Sequence, residues 1–422
     1  MKKQLAQAGL DRRDAALATR LAFGVVQNQL LLDFYLSAFS SIPLKRLENK
    51  VLQALRLGAY QMLFLTKIPH SAAVNRSVEL TRAHCKNPRA AGMVNAILRS
   101  LQRSLNSLPT IPQTDPVSYL SILYSTPEWL VKEFILTLGM GETAQLLAAQ
   151  NSQPPLTVMV NTLRTTPQEL ADKLEGAGVG VRAHPWLEGC LELEGTGSVE
   201  RLEAFEQGLF YVQDPASRLA VLAAAPKPGM RVLDCCAAPG GKTFAAALAM
   251  EGRGEILSCD LHPHKKKLIQ AGADRLGLDL VTPMTADARA FRPEWEGAFH
   301  LVLVDAPCSG LGVIRKKPDI RFKDPEELRG LPAVQLAILS NAARYVRPGG
   351  TLLYSTCTLL PRENEQVVEE FLAGRRDFKV NSFTLPGPVG EVGEGMVTLW
   401  PHRQGTDGFF ICRMVREENG VG

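Results

Sequence analysis

The sequence predicts three parts: an all-α N-terminal domain over 1–135, a small α+β module with linker helices over 136–211, and a doubly wound α/β domain over 212–422. Three observations carry this. Residues 5–135 keep a helical period broken by prolines. Near residue 151 the period shortens to alternating runs. From about 212 the pattern becomes strand, glycine turn, helix, repeated, which predicts a largely parallel sheet covered on both faces.

In the first part, Leu17, Leu21 and Val25 recur every four residues, as do Leu47, Val51 and Leu55, with Met62 and Leu63 following. That spacing puts apolar side chains on one helix face. Pro69, Pro88 and Pro109 separate the segments, and Pro88 is expected to open a helix reaching Arg103 with Met93, Ile97 and Leu101 on one face. Residues 109–116 hold three prolines and read as a linker; 127–150 is helical again. Residues 156–163 and 189–194 read as strands, and Thr166-Pro167 is an N-cap and first-turn pair opening a helix through Leu174. In the third part, strands are expected at 231–235, 254–259, 300–305, 350–355 and 409–415, with a further one ending before Asp287.

The chain has 422 residues, 45% of them hydrophobic, which suits two or three globular domains. No run approaches the roughly 18 apolar residues of a membrane span, and the first 24 residues lack the apolar stretch of a signal peptide. Eight cysteines without CxxC pairs or Cys/His clusters argue against a metal site and for reduced thiols in a cytoplasmic protein. The net charge is only +4, yet residues 1–135 hold 17 Lys and Arg against 8 Asp and Glu, while the remainder holds 30 against 35. The first third is therefore a candidate for polyanion contact, with a solvated helical surface as the alternative.

Two cysteines dominate the chemistry. Cys308 lies in Asp305-Ala306-Pro307-Cys308-Ser309-Gly310 and Cys357 in Ser355-Thr356-Cys357-Thr358, each just past an apolar run that reads as a buried strand. In open α/β sheets that end of the strands lines the ligand crevice. Upstream, Leu233-Asp234-Cys235-Cys236-Ala237-Ala238-Pro239-Gly240-Gly241-Lys242 runs from a strand into a glycine turn. It is not a phosphate loop, because Cys236 stands where the first glycine of that motif is needed. Asp260 ends the next strand and is expected to accept from ribose hydroxyls; Asp287 follows a third and is expected near an adenine edge. No phosphate-binding set follows, which suits S-adenosylmethionine better than a dinucleotide. A buried core cysteine is the commoner fate of either thiol alone; two at strand ends in these contexts point to covalent chemistry on a base.

Taken together, these motifs resemble the Nop2/Sun family of RNA 5-methylcytosine methyltransferases, and within it the Sun-type enzymes of 16S ribosomal RNA, which carry an N-terminal domain similar to the antitermination factor NusB. Leu57-Gly58-Ala59-Tyr60-Gln61-Met62-Leu63, Pro69-His70-Ser71-Ala72-Ala73-Val74-Asn75 and Val94-Asn95-Ala96-Ile97-Leu98-Arg99 look like that domain. Val212-Gln213-Asp214-Pro215-Ala216-Ser217, Gly312 to Ile320 and Asp407-Gly408-Phe409-Phe410 extend the likeness over nearly the whole chain. The resemblance implies that Cys236, Ala237, Ala238, Pro239, Gly240, Gly241, Lys242, Asp260, Asp287 and Asp305 bind S-adenosylmethionine. It implies Cys357 as nucleophile and Cys308 as the thiol that assists product release.

Carbon 5 of cytosine is a poor nucleophile. A thiolate adding to carbon 6 makes carbon 5 enamine-like, able to attack a sulfonium methyl. Protonation or hydrogen bonding at ring nitrogen 3 eases the addition. Asp305 is the candidate for that role and needs a raised pKa to donate; Lys242 adds positive potential. The base must be unpaired or flipped to reach both thiols. Arg315, Lys316, Lys317, Arg321 and Lys323 follow the Cys308 loop and are candidates to hold phosphates. The expected partner is 16S rRNA, with no membrane, no metal and a monomer as the default. A tRNA cytosine methyltransferase and a non-catalytic RNA-binding assembly factor are the alternatives.

Overall fold

A computed structural model describes residues 9–87 and 89–418. The chain forms two compact units, one of Met1–Asn151 with Lys317–Lys323, the other of Ser152–Lys316 with Asp324–Gly422.

The first unit is helical. Helices at Arg12–Gln27, Gln29–Phe39, Asn49–Phe64, His70–His84 and Ala90–Arg103 pack on a core that includes Leu32, Leu36, Leu55, Val74, Leu98 and Leu101. The apolar spacing explains the packing: Val51 and Leu55, Val94 and Leu98, and Ile97 and Leu101 each lie a helical turn apart and are buried. The expectation that Pro88 opens the last of these helices falls on a residue outside the described ones. Leu17, by contrast, is 40% exposed. Beyond the proline-rich stretch, helices Pro116–Tyr124, Glu128–Leu138 and Met140–Gln150 follow, the last two separated at Gly139, whose positive φ of 76° ends one helix before the next begins.

One side chain in this unit comes from far along the sequence. Arg321 is fully buried. Its guanidinium donates to the carbonyls of Gln27 (3.3 Å), Tyr124 (2.9 Å) and Ser125 (3.1 Å) and to Asn151 Oδ1 (2.8 Å). Burial lowers its pKa to about 10. The sequence reading of Arg321 as a phosphate-holding residue is therefore overturned, since four donor contacts turn it inward. The segment around it belongs to the helical unit.

The second unit holds two sheets. The smaller is antiparallel, order β2-β3-β1-β4, from strands β1 (Leu156–Val160), β2 (Gly180–Ala183), β3 (Cys190–Glu194) and β4 (Phe210–Val212). Helix Pro167–Gly176 connects β1 to β2, and a single turn at Glu203–Glu206 precedes β4, giving a βαββαβ order. The helix begins as its sequence predicts: Thr166 caps the Glu169 N–H, and the Glu169 carboxylate accepts from the Thr166 N–H.

The larger sheet runs β10-β14-β9-β8-β5-β6-β7, with β13 also paired to β14. Its strands are β5 (Arg231–Asp234), β6 (Glu255–Asp260), β7 (Val281–Thr285), β8 (Phe299–Asp305), β9 (Val346–Thr356), β10 (Phe378–Val380), β13 (Met396–Leu399) and β14 (Phe409–Arg416); β11 (Phe383–Leu385) and β12 (Gly390–Val392) form a separate hairpin. The pairs β7–β6, β6–β5, β5–β8 and β8–β9 are parallel, and β14 enters antiparallel to β9. Chain order reverses at β5, between β6 and β8. That switch point opens a crevice beyond the carboxyl ends of the strands. The buried runs Leu301–Val304 and Leu352–Tyr354 pack both sheet faces against helices, as continuous apolar strands require.

Candidate active site

The carboxyl ends of four parallel strands supply the site: Asp234 ends β5, Asp260 ends β6, Asp305 ends β8, and Cys357 follows β9. After β5 the chain turns at Ala237–Gly240, where the Ala237 N–H donates to the Cys259 carbonyl (2.8 Å) and the Gly240 N–H to the Ala237 carbonyl (2.7 Å). Gly240 has φ of 112°, and a Cβ there would lie 2.4 Å from the Phe244 ring. Glycine is required at this position on both counts. Helix Gly241–Ala249 then begins, carrying Lys242.

Lys242 is nearly buried and donates to Asp305 Oδ2 at 2.7 Å, with Ser217 Oγ at 3.4 Å and the Phe409 ring centroid 4.8 Å away. Ser355 Oγ donates to Asp305 Oδ1 at 3.0 Å. The sequence reading anticipated Lys242 and Asp305 as site residues; the ion pair between them and the parts of Ser217, Ser355 and Phe409 were not anticipated. All three lie inside quoted motifs, but only the fold brings them to Lys242 and Asp305.

Asp260, 5% exposed, accepts from the N–H groups of Ala238 and His262, both at 3.3 Å, and pairs with Lys265 at 3.3 Å. Asp287 lies just past β7, where Arg289 donates to both its oxygens (2.8 and 3.1 Å) and lowers its pKa. Asp234 is fully buried; it accepts from Thr243 Oγ1 (2.8 Å), while its Oδ1 has no hydrogen-bond partner. Burial pushes its pKa up to about 7.

The two thiols meet. Cys308 Sγ and Cys357 Sγ are 3.4 Å apart. The loop after Cys308 is held against Cys357 through the backbone: the Gly312 N–H donates to the Cys357 carbonyl (2.9 Å) and the Gly408 N–H to the Gly312 carbonyl (2.9 Å). A Cβ on Gly312 would lie 1.9 Å from the Gly408 oxygen, so the approach needs glycine. The hydrogen bond to Cys357, burial and the charge of Cys357 together hold the Cys308 thiol well above its usual pKa. Burial likewise raises Cys235 and Cys236, removing them as nucleophiles.

The first two residues of the basic run after this loop are not free for phosphates. Arg315 Nε pairs with Asp407 at 2.7 Å, and Lys316 pairs with Asp407 at 2.7 Å and with Asp214. Asp214 also caps helix Pro215–Ala224 through the Ala216 N–H. The expectation that Arg315 and Lys316 face RNA is corrected, because both are spent on buried acids.

The donor set fits S-adenosylmethionine. Carboxylates at the ends of β6, β7 and β8 suit hydroxyl, amine and ammonium groups, and Lys242 and Lys265 are each matched to an acid, leaving neither for a phosphate. Among the described residues no group of three or more His, Cys, Asp or Glu is placed to hold a metal ion, and no helix is long and apolar enough to cross a membrane.

Comparison with known proteins agrees with this geometry. The family described as 16S rRNA methyltransferase RsmB/F matches residues 221–415, the NusB family matches 1–103, and the ferredoxin-like domain of RsmF/B-like methyltransferases matches 126–200. The chain is 38% identical to the "Probable ribosomal RNA small subunit methyltransferase B" of Bacillus subtilis, over 98% of this chain and 93% of that one. It is 33% identical to the ribosomal RNA small subunit methyltransferase B of Vibrio cholerae, over 98% and 92%. A methyltransferase homolog protein from Pyrococcus horikoshii superposes with a TM-score of 0.61 at 26% identity, covering 70% of this chain and 97% of that one. With identity sustained along the full length, the chain belongs to the RsmB/F family of 16S rRNA methyltransferases, enzymes that draw their methyl group from S-adenosylmethionine.

Proposed function

We propose that this protein methylates carbon 5 of one cytosine in 16S rRNA, with Cys357 as the nucleophile and Cys308 as the thiol of release. The observation that carries the assignment is the thiol pair, 3.4 Å apart after β8 and β9, with Cys308 three residues beyond the Asp305 that pairs with Lys242. Cys236 to Lys242, Asp260, Asp287 and Asp305 hold S-adenosylmethionine, which supplies an electrophilic sulfonium methyl when bound.

The two sulfurs are close enough to share a proton, and Cys357 is assigned as the one that attacks because its Thr-Cys motif matches the nucleophile of the family the sequence resembles. Its Sγ bonds to carbon 6, and the electron pair of the 5,6 double bond becomes available at carbon 5. Asp305, paired with the Lys242 ammonium, handles the proton at ring nitrogen 3. After methyl transfer the proton on carbon 5 is removed on the Cys308 side. Its bonding pair restores the 5,6 double bond, and Cys357 leaves as thiolate. The causes of the high Cys308 pKa fit this timing. One of them, the charge of Cys357, is removed once the Cys357 sulfur is bonded to carbon, and the hydrogen bond is weakened because a thioether is a poorer acceptor than a thiolate. Cys308 then becomes a better base at the step that needs one.

The positive segment 1–135 contributes rRNA contacts as a NusB-like domain, and 212–422 carries the chemistry. A thiol nucleophile also favours a reducing cytoplasmic setting, and a monomer completes the reading.

The test is trapping. Full-length protein, rRNA fragments and S-adenosylmethionine are combined and resolved on denaturing gels. Cys357→Ala is expected to lose methylation and any covalent RNA complex; Cys308→Ala is expected to accumulate that complex. Trapping on Cys357→Ala with none on Cys308→Ala reverses the two roles.

A further inference from the structure

Immediately after β9 and Cys357, the chain makes a short turn at Pro361–Glu363 and enters helix Glu365–Gly374. Two successive residues at this junction, Glu363 (0% exposed) and Asn364 (1% exposed), are buried polar side chains. They reach different thiols. Glu363 Oε2 accepts from the Ser309 N–H at 2.8 Å, the residue after Cys308, and from Gln335 Nε2 at 2.9 Å. The same Gln335 nitrogen donates to the Pro307 carbonyl at 3.0 Å, the residue before Cys308. Cys308 is thus gripped on both sides through one carboxylate. Asn364 does the same for Cys357: its Oδ1 accepts from Thr356 Oγ1 at 2.6 Å and its Nδ2 donates to the Thr358 carbonyl at 3.1 Å. A cross-tie joins the two loops, with Ser309 Oγ and Thr358 Oγ1 2.7 Å apart. The junction itself is pinned by Tyr354, whose hydroxyl donates to the Glu363 carbonyl at 2.7 Å.

A buried carboxylate is a costly way to make a structural tie. Glu363 forms no ion pair among the described residues, and its Oε1 has no hydrogen-bond partner. Its contacts go to neither the cofactor turn nor the Lys242–Asp305 pair. What both residues share is control of where a sulfur stands, and covalent catalysis loses rate steeply when reacting atoms are misplaced.

We infer that Glu363 and Asn364 are positioning residues with separate tasks, Glu363 setting Cys308 for release and Asn364 setting Cys357 for addition. The inference rests on the thiol roles proposed above. It makes the two neighbours separable in the reaction, although they are adjacent in the chain.

The experiment uses the full chain, rRNA fragments and S-adenosylmethionine, reading methyl transfer and covalent complex together, with Cys308→Ala and Cys357→Ala alongside. Glu363→Ala is expected to lower turnover roughly ten- to hundredfold while covalent complex accumulates, as in Cys308→Ala. Glu363→Gln is expected to recover most of the turnover, because an amide oxygen at the Oε2 position still accepts from both the Ser309 N–H and Gln335 Nε2, leaving the Gln335 contact to Pro307 intact. Asn364→Ala is expected to lower turnover without any complex, as in Cys357→Ala. Should the alanine variants not fold, Gln335→Leu and the isosteric Asn364→Asp take their place. The first is expected to accumulate complex; the second, which sets a carboxylate against the Thr358 carbonyl, is expected to lose addition. The same pattern in both neighbours, or a loss that merely follows thermal stability, overturns the inference. If Cys308→Ala itself accumulates no complex, the thiol roles fail first. If it does and Glu363→Ala and Gln335→Leu do not, only the positioning role falls.

Discussion

Two ionic clusters bracket the Cys308 loop in sequence, and they are built to opposite ends. Before the loop stands Lys242–Asp305: one cation, one acid, with the acid side chain 31% exposed and also held by a serine hydroxyl. After the loop stand Arg315 and Lys316 with Asp214 and Asp407, two cations on two acids, three of the four side chains 11% exposed or less. In the second cluster, burial alone would raise Asp214, but Lys316 and Arg315 draw its pKa below the usual value, and the two acids in turn raise Lys316. Asp407, pressed by burial and by Asp214, is raised to about 6; two cations nonetheless face two acids, so the cluster fixes the loop and leaves no free charge for a substrate. The first pair is left partly reachable, as a group that must handle a proton on a visiting base has to be.

That contrast can be broken most directly by removing one cation from each. Arg315→Met leaves two buried acids facing one lysine, and breaking a buried ion pair typically costs about 3–5 kcal/mol. Chemical denaturation is expected to show that loss. Lys242→Met is expected to abolish methyl transfer on rRNA fragments while leaving the denaturation midpoint close to wild type. Equal destabilisation in the two variants would erase the distinction between a fixing cluster and a working pair.

A second, smaller effect concerns pH. Asp234 is a buried acid that forms no ion pair among the described residues, and burial raises its folded pKa to about 7 from 3.8. Between those values the native state binds a proton that the unfolded chain has already released. Stability from this group is therefore fully present below about pH 4 and lost as pH rises to about 7. Asp234→Asn keeps the shape and cannot ionise. At about 1.4 kcal/mol per pH unit, the variant is expected to gain up to a few kcal/mol relative to wild type at pH 8, with the gain vanishing near pH 4. Melting temperatures of both proteins across that range check it; parallel curves would mean that Asp234 titrates alike in the folded and unfolded chains.

The smallest effect is on cofactor affinity. Asp260 is tied to the turn by the Ala238 N–H and is proposed to accept from the ribose. Losing one side of a buried hydrogen bond costs about 1–3 kcal/mol. Asp260→Ala is expected to weaken S-adenosylmethionine binding about tenfold in calorimetry, with rRNA affinity unchanged. Unaltered cofactor affinity removes Asp260 from the site.

Much of this arrangement is legible in the sequence, and for a local reason. Asp305, Cys308 and Cys357 sit in contiguous motifs directly after apolar strands, and strand ends of a parallel sheet converge by geometry. Glycines 240 and 241 likewise announce their turn. What escaped the reading depends on distant partners. Arg315, Lys316 and Arg321 lie in a basic stretch that reads as a phosphate-facing loop, and only the fold supplies Asp214, Asp407 and the Gln27, Tyr124 and Ser125 carbonyls that turn them inward. Glu363 follows Cys357 by six residues yet acts on Ser309, 54 residues upstream. Strands β10 to β12 are three residues each, and the segment between β11 and β13 is rich in glycine; such runs carry no period to read. The Arg321 contacts also bear on truncation. A chain lacking residues 1–135 would lose three of the four acceptors that Arg321 uses, so its rRNA affinity would report folding as well as charge.

Arg321 also sets a clock. The helical unit does not end at Asn151; it also includes Lys317–Lys323, about 170 residues later. A ribosome adding roughly 5–20 residues per second takes on the order of 10–30 s to bridge that gap. For that interval the nascent helices hold four acceptor groups at Gln27, Tyr124, Ser125 and Asn151 whose arginine has yet to be made. The Arg321 contacts of the helical unit can therefore form only after β8 and the loop bearing Cys308 have been synthesised.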